Sequence, residues 1–420
     1  MYRKARLLGV LLSVTVLLSS CGRAGQPAED ALQQISPAQQ SSSTLSATVD
    51  YDALAAALAA AGAGDAASKE FLLWCEQYKS GFAAAFAKRL ADHPYDESMF
   101  YELTGCTRKV LADRYSRRRN PAQPARLWNN GTGTFTLGFT GDINLADGWH
   151  NMLRYEQQPN GIYDCLSASL LKQMNDADIL LVNNEFSFSK RGAPLLGKQY
   201  TFRADPGKVK ILSQMGADLV SLANNHVYDY GRDAFFDTLD TLDNSNIARI
   251  GAGRNLAEAM QPQYYLINGR KVGFVAASRA EKHIMTPGAT ADGEGVLRTY
   301  DAALFLQAIA EAKQNSDFVV AYVHWGTENT TRLEKAQREQ GRAYIDAGAD
   351  IVVGAHPHCL QGMEYYKGKP IVYSLGNFWF NMDTLDTGYL MLEVDRSGNA
   401  KTVFLPCIQT GGVTSGPGRR

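Results

Sequence analysis

From residue 135 onward, short apolar runs alternate with helical stretches, and most of the runs end in a residue that can bind a metal. Runs at 135–139, 179–182, 219–222, 272–276, 318–323, 351–353 and 371–374 read as buried strands. Helical patterns at 206–215, 233–243, 301–314 and 331–347 separate many of them. Further strands are expected at 389–394 and 401–405, and no internal repeat is visible. This alternation specifies an α/β fold. The carboxyl ends of parallel strands in such a sheet face one crevice, so residues far apart in sequence converge there.

Asp142 follows the first run, in Gly141-Asp142-Ile143-Asn144, and Glu185 follows the second, in Asn183-Asn184-Glu185. Asn224-Asn225-His226 follows the third, and His324 closes the run at 318–323. His356 and His358 follow 351–353, in Gly354-Ala355-His356-Pro357-His358. Asp, Glu, Asn and His together suit a borderline divalent cation such as Zn, Mn or Fe. Two such ions about 3.5–4 Å apart clamp the attacking and leaving oxygens of a displacement and lower the pKa of water. Holding them that close takes a bridging carboxylate and several nitrogen ligands, and this set contains both. Taken singly, each motif also has a plain structural reading: a Gly-Asp turn, an Asn-Asn-His turn with a satisfied histidine, a His-Pro-His corner. All of them in order, each after a strand, point to a metal site.

The same order of motifs resembles the CapA family, the poly-γ-glutamate capsule synthesis domain, itself similar to a divergent calcineurin-type metallophosphoesterase. The matching text is Thr140-Gly141-Asp142, Asn183-Asn184-Glu185, Ser221 through His226 with Asp229-Tyr230-Gly231, Val323-His324-Trp325-Gly326, Gly348-Ala349-Asp350, Gly354 through His358, and Tyr373 through Phe378. It spans about 135–380, well over half the chain. The resemblance implies a four-layer α/β/β/α sandwich with two central sheets. It also implies two divalent metal ions, Mn, Fe or Zn. Asp142 and His358 would hold one of them, and Asn225, His324 and His356 the other, with Glu185 bridging. His226 would act as a general acid steered by Asp229. Asn144, Asn183, Glu328 and Asn377 are expected in a supporting ring or against substrate. Ordinary phosphoesterases begin with Asp-x-His, whereas this chain has Asn144 at the His position, as the CapA family in general lacks that His. A nitrogen ligand is thereby weakened or lost. The bridging Glu also reaches one methylene further than the usual Asp.

The start of the chain reads as an address. Arg3, Lys4 and Arg6 precede an apolar stretch at 7–18, and Leu18-Ser19-Ser20-Cys21 resembles the lipobox of bacterial lipoproteins. Residues 1–20 are then a signal peptide, and Cys21 the lipidated residue of a protein tethered to the outer face of the cell membrane. An uncleaved anchor or an ordinary signal peptide is the simpler reading. Residues 21–50, rich in Ser, Gln, Ala and Pro, read as a flexible tether. A helical segment is expected at 51–128, with Leu54 and Leu58, then Phe71, Trp74 and Tyr78, then Phe82, Phe86 and Leu90 at helical spacing. The arginines at 114, 117, 118 and 119 and the prolines at 121 and 124 mark a linker. The principal domain is placed at 132–408 and a C-terminal tail at 409–420.

Lys and Arg number 42 against 43 Asp and Glu, a net charge of -1, so no nucleic-acid partner is expected. Six cysteines are too few for a disulfide scaffold. Cys75 and Cys106 are one candidate pair; otherwise the cysteines after Cys21 are small buried apolar residues. The expected role is in synthesis, export or processing of an anionic surface polymer, poly-γ-glutamate by resemblance. Its expected partners are membrane lipid through Cys21, the polymer, and a membrane polymer-ligase complex. Catalysis, if present, is metal-dependent hydrolysis of phosphoesterase type. The alternatives are a non-catalytic accessory protein that binds the polymer and a glycan-associated lipoprotein on the same scaffold.

Overall fold

The computed structural model describes residues 49–61, 68–96, 98–104, 108, 111–112, 125–127, 134–245, 247–281 and 285–416. The signal peptide, Cys21, most of the tether, Cys106 and the arginine run lie outside these residues.

The α/β expectation holds, and two large sheets carry the fold. In one, the strands run in the order Val413–Ser415, Ala400–Thr410, Leu385–Val394, Phe135–Ile143, Ile179–Asn184, Leu219–Ser221, Ala248–Ile250, with Asn377–Trp379 added beside Phe135–Ile143. In the other they run Ala125–Leu127, Gln263–Ile267, Arg270–Ser278, Phe318–His324, Ile351–Ala355, Lys369–Leu375, Leu360–Tyr366. The central strands of each sheet are parallel to one another. That is why their runs are apolar on both faces and why the expected strands were easy to read.

Strand alternation sorts the core. Ile179 and Leu181 pack in a cluster with Val272, Phe274 and Ala276 of the other sheet. Leu180 and Val182 instead meet the helices Ala168–Asp176, Val209–Met215 and Gly231–Asn244. In the second sheet, Val275 and Ala277 turn to the helices Ala303–Gln314 and Lys335–Asp346. A period of two thus sends alternate residues of these strands into different clusters.

Among the described residues of the N-terminal end, the helices Tyr51–Ala60, Lys69–Tyr78 and Phe82–Asp92 follow the expected spacing, and Ser98–Thr104 is a further helix. Asp50 and Ser68 cap the first two, accepting bonds from Asp52 and Ala53 and from Phe71. Leu54, Leu58, Phe71, Trp74, Phe82, Phe86 and Phe100 are buried. Cys75 lies among them as a buried free thiol and packs as a small apolar residue; its candidate partner Cys106 lies outside the described residues.

Two boundaries differ from expectation. Ala125–Leu127, placed in the helical segment, is an edge strand parallel to Gln263–Ile267. The prolines at 121 and 124 in the sequence disfavour continuation of a helix into it. The expected tail at 409–420 contains the end of one strand and all of another, since Thr410 and Val413 pair across a two-residue turn. Gly411 and Gly412 have φ of 57° and 74°, the left-handed pair that a tight hairpin needs. Residues 417–420 lie outside the described residues.

Candidate metal centre

The carboxyl ends of five parallel strands deliver the site. Asp142 lies near the end of Phe135–Ile143, beyond a break in register with Ile179–Asn184. Gly141 allows this bend, because a Cβ there would stand 1.9 Å from the Gly376 carbonyl oxygen, and the Asp142 N–H donates to that oxygen. Glu185 follows Ile179–Asn184, Asn225 and His226 follow Leu219–Ser221, and His324 ends its strand. The His356-Pro357-His358 corner follows Ile351–Ala355, with φ of 94° at His356 and 56° at His358. Two histidines in the left-handed region cost free energy, which fits a corner shaped to aim side chains rather than to turn cheaply.

Glu185 is the centre of the cluster. Its Oε1 lies 3.6 Å from His324 Nε2, 4.0 Å from His226 Nε2 and 4.0 Å from His358 Nε2. It is buried and has no hydrogen-bond partner among the described residues. Those distances are too long for hydrogen bonds. They match two ligand atoms that each stand about 2 Å from a common ion. The other oxygen, Oε2, accepts from Asn183 Nδ2 at 3.1 Å, and the same amide donates to Asp142 Oδ1 at 2.7 Å. One amide thus holds two buried carboxylates together. Burial, and then the charge of Asp142, hold the Glu185 carboxyl well above the usual range.

Two groups of ligand atoms, each mutually within 4.8 Å, emerge: Asp142, Glu185 and His324, and Glu185, His356 and His358. Glu185 belongs to both. The family resemblance implies Asp142 with His358, and Asn225 with His324 and His356; the His324 and His356 rings lie 4.6 Å apart between centroids. His358 also lies near Asp142, with Nδ1 3.3 Å from Oδ2. Asn225 joins the set through its Oδ1, 2.7 Å from His324 Nε2. His356 Nδ1 is buried without a partner among the described residues. Burial, and then the nearby His358, push the His356 imidazole down to about 3, and burial keeps His324 well below the ordinary histidine value. Burial also works against charge on His358, but the Asp142 carboxylate and Asn377 outweigh it and raise the ring. Mostly neutral imidazoles, two carboxylates and an orphaned carboxylate oxygen are the donor set of a divalent cation site, and the residues fit one.

The supporting residues fall into place unevenly. Asn377 Oδ1 meets His358 Nδ1 at 2.8 Å and fixes that ring. Glu328 is half exposed, its Oε1 3.9 Å from His356 Nε2. Asn144 does not join the cluster: its Oδ1 accepts the Ala146 N–H at 2.8 Å and its carbonyl accepts from Asn151. His226 Nδ1 meets Asp229 Oδ2 at 2.7 Å, which leaves Nε2 turned toward Glu185.

Sequence pattern did not reveal Lys198, whose ammonium ion-pairs with Asp229 Oδ1 at 2.8 Å beneath His226. Nor did it reveal Phe202 and Phe380, whose rings lie 4.5 Å from His226 and 4.9 Å from His358 between centroids. The one signal for Lys198 was a lone lysine between Gly197 and Gln199 in a loop without periodicity. Among the described residues no helix is long and apolar enough to cross a membrane.

The family model described as bacterial capsule synthesis protein PGA_cap matches residues 136–382. The PGA biosynthesis protein CapA of Bacillus subtilis (strain 168) is 36% identical over 220 residues, 50% of this chain and 55% of that protein. The capsule biosynthesis protein CapA of Bacillus anthracis is 34% identical over 212 residues, 47% of this chain and 49% of that protein. A probable polyglutamine synthesis accessory protein of Mycobacterium tuberculosis (strain ATCC 25618 / H37Rv) is 28% identical over 209 residues, 48% of this chain and 55% of that protein. The chain thus spans about half the length of the curated relatives it matches. The matched residues contain every candidate ligand named above, and by that match the chain belongs to the bacterial capsule synthesis PGA_cap family, the CapA family.

Proposed function

We propose that this chain is a membrane-anchored, extracytoplasmic CapA-like protein that works in synthesis, export or processing of an anionic surface polymer, with poly-γ-glutamate the polymer implied by its relatives' names. Its anchor would be lipid on Cys21, and its partners the polymer and a membrane polymer-ligase complex. In this reading the two sheets and their helices form a four-layer α/β/β/α sandwich whose crevice holds two divalent ions, Mn, Fe or Zn. The single observation that carries the metal is the buried, unpartnered Glu185 Oε1 beside His324 Nε2 and His358 Nε2.

Asp142, Glu185, Asn225, His324, His356 and His358 would hold the ions. When bound, such ions supply Lewis acidity toward a phosphoryl or carbonyl oxygen and make water acidic enough to react at neutral pH. The chain's own residues handle the rest. Asp229 holds His226 through Nδ1 and so presents Nε2 to the crevice, where a protonated ring can pass its proton to a departing oxygen. Phe202 and Phe380 border two of the histidines and limit water around them. Glu328, half exposed beside His356, stands where substrate would enter.

A second reading is a non-catalytic accessory protein, in which the metal site grips polymer carboxylates. Its support is Asn144, engaged in its own turn and contributing no ligand, which leaves the site poorer than that of ordinary phosphoesterases. The test is hydrolysis of a phosphoester and of a glutamyl polymer by the manganese- or zinc-reconstituted chain, beside His226→Gln. Loss of the proton donor is expected to lower turnover about 10²–10⁴-fold while metal content stays unchanged. Metal binding with no turnover of either substrate class leaves the accessory role.

A further inference from the structure

The Lys198 side chain is only 8% exposed, in a loop that is otherwise at the surface. Burying an ammonium is unfavourable unless paired groups compensate it. Here the compensation is specific. Nζ donates to Glu281 Oε1 at 2.9 Å, ion-pairs with Asp229 Oδ1 at 2.8 Å and donates to the Asn225 carbonyl. Thr286 Oγ1 donates to the same carbonyl at 2.8 Å, and the Thr286 N–H donates to Glu281 Oε2.

Each contact leads into the site. Asp229 Oδ2 takes the Phe202 N–H and His226 Nδ1, both at 2.7 Å. Asn225 carries on its side chain the Oδ1 that meets His324 Nε2. One ammonium therefore fixes a peptide of the Asn225-His226 pair from one side and the carboxylate that orients His226 from the other. A lysine needed only to pin the loop would be served by a surface carboxylate, without entering a buried pair that already has a histidine to hold.

Resting on the metal-site reading above, we infer that Lys198 is a positioning residue: it sets the Asp229 carboxylate, and through it the direction of His226 Nε2, together with the backbone that presents Asn225. Lysine is suited to this because its point-like ammonium can face three acceptors arranged around it, which a planar guanidinium cannot copy.

The test is a long-range ¹⁵N–¹H spectrum of the histidine rings in the full-length chain after metal removal, at neutral pH. The chain has 7 histidines, and His226→Gln assigns the signal of interest. In the wild type, His226 is expected to carry its hydrogen on Nδ1, facing Asp229. Lys198→Met is expected to abolish that pattern, as Asp229→Asn does, and Lys198→Arg to shift it partway. An unchanged His226 pattern in whichever Lys198 variant folds would overturn the inference and leave Lys198 a loop anchor. Because the spectrum is read without metal, a chain that binds no ion, which would defeat the proposed function, still reports whether Lys198 positions His226.

Discussion

The chain beyond Ile351–Ala355 and the end of Phe135–Ile143 have similar beginnings and opposite outcomes. The His356-Pro357-His358 corner holds both its histidines at positive φ and brings both rings into the cluster around Glu185. The end of Phe135–Ile143 delivers Asp142, but just beyond it the Asn144 side-chain oxygen accepts the Ala146 N–H. The first holds both histidines at positive φ and aims their rings; in the second the Asn144 oxygen serves the backbone, while its Nδ2 is buried without a partner among the described residues. A ligand position is therefore kept by backbone geometry as much as by residue type, and an amide in place of an imidazole has been absorbed into local hydrogen bonding.

The contrast is broken most severely by His356→Ala. One ligand of the group with Glu185 and His358 is then lost. Metal affinity is expected to fall by more than about 100-fold, beyond the range seen when only a supporting partner of a ligand is removed. Competition with a chromogenic chelator reads this directly, and a change below about threefold would remove His356 from the ligand set.

Acid sharpens the same contrast in the metal-free chain. His324 and His356 have folded values below the ordinary histidine value, so the unfolded chain takes up their protons first. Their contribution to stability is present above about pH 6.5 and is lost as pH falls from there, for His356 towards about 3. Glu185 and His358 have the opposite sign: raised folded values add stability at low pH, which fades as pH rises through them. Between about pH 4.5 and 6.5 two histidines act against one carboxyl, so the net effect of these groups is loss of stability on acidification. His356→Ala is expected to flatten that loss by on the order of 1 kcal/mol per pH unit, seen in urea midpoints at successive pH values. Parallel curves for variant and wild type would mean that His356 is not held neutral by the fold.

The smallest effect is expected from restoring the missing imidazole. Asn144→His should add no metal, because the side chain is engaged in the turn, and should cost about 1–3 kcal/mol through the lost cap and the crowded burial. An extra equivalent of bound metal would show that the turn can open.

Much of this was legible in the sequence for a simple reason. Parallel strands buried on both faces are written as unbroken apolar runs, and their carboxyl ends are where ligands must stand, so Asp142, Glu185, His324, His356 and His358 could be named from position alone. The directions of the rings around Glu185 were not legible, because they depend on backbone geometry such as the positive φ of His356 and His358. Lys198 escaped because an irregular loop has no period to reveal which of its residues turns inward. The strands at Ala125–Leu127 and Val413–Ser415 escaped because three residues at a sheet edge carry too little pattern to separate from a linker or a tail.

The most direct test of the site is the metal content of the full-length chain, by mass spectrometry, after purification without chelator and after manganese or zinc is offered back, beside Glu185→Gln. About two ions per chain, falling below one when the shared carboxylate becomes an amide, is the expected result. No metal in the wild type, or the same content in Glu185→Gln, would contradict a centre built around Glu185.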